Sequence, residues 1–151
     1  MGCEEMKEIS WDKAVEPASP YPYVLAVTLD KNGKPNIIGL GWWTITSWNP
    51  RMIAISVGHS RYSHECLDHC GEFVLCFPSE EQVKGAWLCG KTTGREIDKF
   101  ARGGFKRAPS TVVKPPIIDG YTVAFECRVI KKTETGDHTL HRGSSCHTRL
   151  A

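Results

Sequence analysis

Asn32-Gly33 sits between two apolar runs, YVLAVTL at residues 23–29 and NIIGLGWWTITSW at residues 36–48. Asn-Gly in that setting is the strongest short-range hairpin signal, because the tight turn needs positive φ at its centre. The first half of the chain is thereby committed to antiparallel strands. Residues 36–48 read as one long second strand, in which Gly39 and Gly41 allow a bend or the close approach of something flat. Asn49-Pro50 turns the chain into a third strand at 52–57, and 73–77 is a fourth.

Short helices interleave. Residues 63–71 form one, with Ser63 as its cap, Cys66, Leu67 and Cys70 on one face and Gly71 as its stop. Ser79-Glu80-Glu81 opens another that runs toward Leu88 and ends at Gly90, and residues 96–101 add a helical turn that leaves through Gly103-Gly104. A Pro-rich loop leads to a strand at 121–131, closed by a turn at Thr135-Gly136-Asp137. Closely spaced strands with small helices and no regular βαβ alternation predict a mainly β antiparallel barrel with helical inserts. Neither GxGxxG nor a P-loop is present, which argues against the common nucleotide folds.

At 151 residues, without internal repeat or linker, the chain is read as one domain, 1–151. A 40% hydrophobic and 24% charged composition is that of a globular chain, not a disordered one. A formal net charge of +2 with no basic run argues against a nucleic-acid partner. No apolar stretch approaches the roughly 18 residues of a membrane span. The opening MGCEEMKEIS carries acids where a signal peptide has basic charge, so a cytoplasmic protein is expected. The seven cysteines form no CxxC pair, and several lie inside apolar runs, where a thiol packs as a small hydrophobe. Cys66 and Cys70, flanked by His64 and His69, share a helix face but show no second half of a metal site, so no metal is assigned. Residues 138–151 (HTLHRGSSCHTRLA) lack the apolar alternation of a terminal strand. They read either as a basic tail or as a departure from an ancestral strand; in the first case the barrel keeps an exposed edge and the tail is protease-sensitive.

Four segments carry the chemistry: Asn36 leading to Thr44-x-x-Ser47-x-x-Pro50, Ser60-Arg61-Tyr62-Ser63, Thr93-Gly94-Arg95-x-x-Asp98-Lys99-Phe100, and Gly136-Asp137-His138-Thr139. In that order and spacing the chain resembles the flavin reductase-like family of FMN-binding split barrels, nearest to its flavoredoxin-type members. The resemblance covers residues 20–139 and leaves 140–151 as an atypical end, with the last barrel strands incomplete. It implies noncovalent FMN, reduction by NADH or NADPH, a homodimer, and a redox partner protein or small-molecule electron acceptor. The corresponding activity is that of an NAD(P)H:flavin oxidoreductase or of a flavoredoxin-like electron carrier. The alternative is a noncatalytic FMN- or ligand-binding or assembly protein that has lost nicotinamide-dependent activity.

Residue chemistry runs parallel to this. FMN needs a flat apolar wall, donors for its polar edge and cations for its phosphate. By resemblance, Trp43, Thr44, Ile45, Thr46 and Ser47 lie along the flavin. Arg61 can hold a phosphate bidentately, with Tyr62 beside it and Ser63 adding a hydroxyl and helix-terminal N–H groups. Lys91, Thr92, Thr93, Gly94 and Arg95 form a polar, cationic loop that can touch the flavin or the nicotinamide nucleotide. His138 corresponds to a histidine that orients nicotinamide or flavin, with Asp137 fixing its ring. Asp98-Lys99-Phe100 has an equally simple reading as a surface ion pair and a core Phe, Cys89 is read as packed, and His64 has no assigned role.

Overall fold

The hairpin forms where the dipeptide places it: Gly33 takes φ +78°, and Val27 stands opposite Ile37 across the turn. The computed structural model describes residues 10–18 and 22–150. Helix α1 (Trp11–Ala18) is followed by strands β1 (Val24–Leu29), β2 (Pro35–Leu40), β3 (Trp43–Ser47) and β4 (Met52–Gly58). Next come α2 (Tyr62–Cys70), β5 (Glu72–Phe77), a 3-10 turn (Glu80–Gln82), α3 (Val83–Lys91) and α4 (Lys99–Gly103). The short strands β6 (Arg107–Ala108) and β7 (Ile117–Ile118) precede the long hairpin β8 (Val123–Thr135) and β9 (His138–Leu150). Seven strands form one antiparallel sheet in the order β2-β1-β5-β8-β9-β4-β3, curled into half a barrel, while β6 and β7 pair separately.

Both faces of the central strands are covered, which is why they read as unbroken apolar runs. In β1, Leu25 and Val27 join Ile37, Phe100, Ile117 and Ile118 in one core, and Val24 and Ala26 join Ile53, Ile55, Leu67 and Phe73 in the other. Strand β5 divides the same way, Val74 and Cys76 against Phe73 and Leu75. Period-2 geometry sends alternate side chains to opposite faces, so a strand buried on both shows no polar alternation.

Several expectations need correction. Residues 36–48 are two strands, not one: the chain leaves β2 after Leu40, and β2 and β3 lie at opposite edges of the sheet. Two glycines sit near this break, Gly39 still inside β2 and Gly41 just after it. A Cβ on Gly39 would stand 2.0 Å from the Tyr23 hydroxyl, and at Gly41 the Trp43 N–H folds back onto the Gly41 carbonyl at 3.1 Å. The cap of α2 is Arg61, not Ser63; Ser63 is buried and its Oγ accepts a hydrogen bond from Asn36 Nδ2 at 2.7 Å. Helix α3 runs through Gly90 to Lys91. The helical turn expected at 96–101 starts at Lys99, because Asp98 takes the N–H groups of Phe100 and Ala101 on its carboxylate.

The largest correction concerns the C-terminal segment. Residues 138–150 are neither a tail nor a missing strand but β9, paired with β8 on one side and β4 on the other. The expected exposed edge and protease-sensitive end therefore fall away; the free edges belong to β2 and β3. The alternation that marks a half-buried strand is present, but polar residues carry it: Thr139, His141 and Gly143 point inward. Gly143 is required there, since a Cβ would stand 2.9 Å from Phe73 Cε1 and 3.1 Å from Cys127 Cβ.

Candidate functional site

Bringing β2, the end of β4, the start of α2 and the α3–α4 loop together leaves a cleft of about 760 Å³, within the range of small-molecule and cofactor sites. Residues 38–42 supply one wall, in which Gly41 leaves open space where a side chain would stand, while Tyr23 fills that position at Gly39. Ser56, Val57 and Gly58 of β4 continue it, and Arg61, Tyr62 and Ser63 close one end. Residues 89–97 and Lys99 form the opposite side, with His138 at the rim.

Cations dominate this surface. Arg61, Lys91, Arg95 and Lys99 line the cleft, against one acid, Glu96. Arg95 is engaged, paired with Glu65 and lying 5.0 Å over the Tyr62 ring. Lys91 sits 4.6 Å over Trp87. The Arg61 guanidinium has no acidic partner or hydrogen bond among the described residues. Lys99 is only 5% exposed, and its Nζ donates to the carbonyls of Ile37 and Cys89, both at 2.8 Å. Burial pushes its pKa down, and the charge of Arg61 adds to that. Two cations so placed favour an anion between them.

Donors converge at the same end. Tyr62 and Ser63 open α2, and their N–H groups have no backbone acceptor. Asn36 already donates to Ser63 Oγ, so the Ser63 hydroxyl keeps its own proton for a ligand. Asn36 Oδ1 is buried without a partner, and only glycine fits beside it: a Cβ on Gly94 would stand 2.0 Å from that oxygen. Thr92 spends its hydroxyl on the Leu88 carbonyl, whereas Thr93 Oγ1 accepts from Arg95 N–H and retains a proton. At the rim, His138 Nδ1 lies 2.7 Å from Asp137 Oδ1, its ring 4.8 Å from that of Trp42. The hydrogen bond from His138 holds the Asp137 carboxyl below its ordinary pKa.

The fold thus gathers Arg61, Tyr62, Ser63, Lys91, Thr92, Thr93 and His138 around one cavity. It does not bring Trp43, Thr44, Ile45, Thr46 or Ser47 there; they lie on the edge strand β3, with Thr44, Ile45 and Thr46 exposed. Trp43 is an anchor, its indole N–H donating to the Pro22 carbonyl and its ring meeting Phe77 edge-on. Their neighbour Trp42 lines the cleft instead. The sequence pointed to Arg95 in its polar loop but gave no site role to Trp42, Asn36 or Lys99; the surface ion pair at this place joins Asp98 to Arg107 at 3.7 Å and leaves Lys99 buried, while Phe100 is a core residue as expected. Cys89 is packed, and burial pushes its thiol up to about 11. Among the described residues no group of three or more His, Cys, Asp or Glu side chains is placed to hold a metal ion.

The residues present fit FMN on its three demands: a flat backbone wall, unspent donors, and unpaired cations at one end. Comparison with known proteins points the same way. The sequence model of the flavin reductase like domain matches residues 17–151. A protein of Archaeoglobus fulgidus is 37% identical over 129 residues, 84% of this chain and 73% of its own length. A flavin reductase of Pseudomonas putida is 25% identical over 134 residues, 89% of this chain and 75% of that protein. The crystal structure of flavoredoxin from Methanosarcina acetivorans matches with a TM-score of 0.81 at 26% identity, covering 100% of this chain and 76% of the flavoredoxin chain.

Proposed function

Since the chain belongs to the flavin reductase-like family, we propose that it is an FMN-binding oxidoreductase that takes electrons from NADH or NADPH and passes them to a partner protein or small acceptor. The observation that carries this reading is the anion-seeking end of the cleft, where unpaired Arg61, the Ser63 hydroxyl and the α2 N–H groups face the same space. Arg61 supplies a bidentate fork for the phosphate, and Lys91 and Thr93 close over it from the other wall. The open position at Gly41 lets a flat ring lie against backbone, with Trp42 at its border.

Bound FMN supplies the redox chemistry; the chain's task is to hold the ring, keep water away and set the local charge. Buried Lys99 adds a fixed positive charge to the floor. His138, oriented by Asp137, stands at the rim where a nicotinamide would enter. That pair favours the reductase over an FMN protein without nicotinamide activity. A homodimer formed over the β3 edge, where Ile45 and Trp48 are exposed, would bring Trp43, Thr44, Ile45, Thr46 and Ser47 into contact with a second copy. Among the described residues no helix is long and apolar enough to cross a membrane, and we place the activity in the cytoplasm.

The test is spectroscopic. FMN-loaded protein mixed anaerobically with NADH or NADPH should lose its yellow colour. Colour that persists with both nucleotides, yet is bleached by dithionite, would refute the nicotinamide half of the proposal and leave an electron carrier.

A further inference from the structure

Behind the Arg61 and His138 walls lies a polar network that the redox reading does not use. Thr139 Oγ1 is its hub. It donates to Glu134 Oε1 at 2.9 Å, and His59 Nε2 and His64 Nε2 approach it at 3.1 and 2.8 Å. A hydroxyl has one proton. With that proton on Glu134, His64 must present its Nε2–H to Thr139, while the His59 Nε2–H points to Glu134 Oε2 at 2.8 Å with Thr139 as a second, longer acceptor, so each ring carries its proton on Nε2. The other nitrogen of His64, Nδ1, faces Asp68 Oδ2 at 3.3 Å. A bare lone pair there would oppose a carboxylate; a proton would make an ion pair. The arrangement is fully satisfied when His64 is an imidazolium.

The location matters as much as the chemistry. His59 lies two residues before Arg61, and its backbone N–H bonds to the Asp137 carbonyl at 3.0 Å. His64 is in the first turn of α2, just after Ser63, and Thr139 follows His138 on β9. The hub therefore ties the turn that carries the anion-binding residues to the strand that carries His138. We propose that Thr139, with His59 and His64, is a positioning lock that holds the Arg61 turn against the His138 strand, and that its grip tightens when His64 takes up a proton. The proposal rests on the reading of Arg61 as the anion anchor.

The groups that face the two rings set the direction. Asp68 on α2, Glu134 on β8 and Asp137 in the β8–β9 turn favour the charged rings, whereas Lys132 on β8 is itself paired with Asp68. His141 on β9 lies 5.5 Å from His64, ring to ring, and burial pushes its pKa down to about 4.

Hydrogen exchange of the apo chain tests the lock without any ligand. Protection of residues 58–63, corrected for intrinsic exchange, should be about fivefold higher at pH 6.0 than at pH 8.0 in the wild type, the low end of couplings between sites. Thr139→Val should remove that contrast and lower protection at pH 6.0. His64→Gln, which keeps an N–H donor but cannot titrate, should show equal protection at both pH values and covers the case in which the first variant fails to fold. FMN affinity should follow: the advantage of wild type over Thr139→Val should be about fivefold greater at pH 6.0 than at pH 8.0, a ratio that cancels the titration of the phosphate itself. Equal pH dependence of exchange in wild type and variants would overturn the lock while leaving the FMN reading intact. An exchange contrast without FMN binding at either pH would sink the FMN reading and leave the lock standing.

Discussion

Replacing Arg61 by alanine is expected to weaken FMN binding by about 10- to 150-fold, the equivalent of the roughly 1.5–3 kcal/mol of a charge-assisted hydrogen bond. The structure makes this a clean substitution. The guanidinium has no partner in the described fold to leave stranded, and the backbone of residue 61 can cap α2 without the side chain. Riboflavin, with the same ring and no phosphate, should lose little affinity. That contrast separates a lost phosphate contact from a damaged barrel, which would release both ligands. Arg61→Lys should recover part of the loss, keeping the charge without the fork. Because Arg61 is exposed, salt should weaken FMN binding to wild type more than to Arg61→Ala. Equal losses for FMN and riboflavin, with an unchanged circular dichroism spectrum, would remove Arg61 from the phosphate site.

A second large effect concerns acid stability. His141 is fully buried, and neither ring nitrogen has a hydrogen-bond partner. Burial is the main cause of its lowered pKa, about 4 against 6.5, with the charge of His64 acting in the same direction. The ring stays neutral in the folded chain but takes a proton in the unfolded one below about pH 6.5. Its contribution is therefore present in full above that pH and is lost as pH falls toward 4. At 1.36 kcal/mol per unit the loss is on the order of 3 kcal/mol, a large share of a small domain's stability. His141→Leu should flatten the urea midpoint between pH 6.5 and 4 while costing little at pH 8, since it also removes two unsatisfied nitrogens. A variant whose midpoint falls with acid as steeply as the wild type would show that another group governs acid unfolding.

The same histidine explains why part of the fold was hidden in the sequence. The first hairpin was legible because Asn32-Gly33 acts locally, on its own φ angles. Strand β9 was not, because its inward residues are Thr139, His141 and Gly143; their fitness for the interior depends on Phe73, Cys127 and His64, which are distant in sequence. The split of residues 36–48 was hidden for a related reason: no residue there breaks the apolar pattern, and β3 finds its partner in β4, at the opposite edge of the sheet from β2. In the site, Arg61-Tyr62-Ser63 and Lys91-Thr92-Thr93 were readable as compact polar segments with binding chemistry. Lys99 was not, because its cleft-lining position comes from carbonyls of β2 and α3 that fix its ammonium group. Residue type announces what a side chain can do; which wall it faces is decided by strands elsewhere in the chain.

Titration of the wild-type chain with FMN, followed by flavin and tryptophan fluorescence, tests the central claim most directly, because Trp42 lines the cleft. Saturable changes in both signals are expected at about one FMN per chain, with riboflavin binding more weakly by the phosphate contribution argued for Arg61. Flavin and tryptophan signals that stay unchanged at FMN concentrations of tens of micromolar, roughly the weak end of cofactor affinity, would contradict that claim.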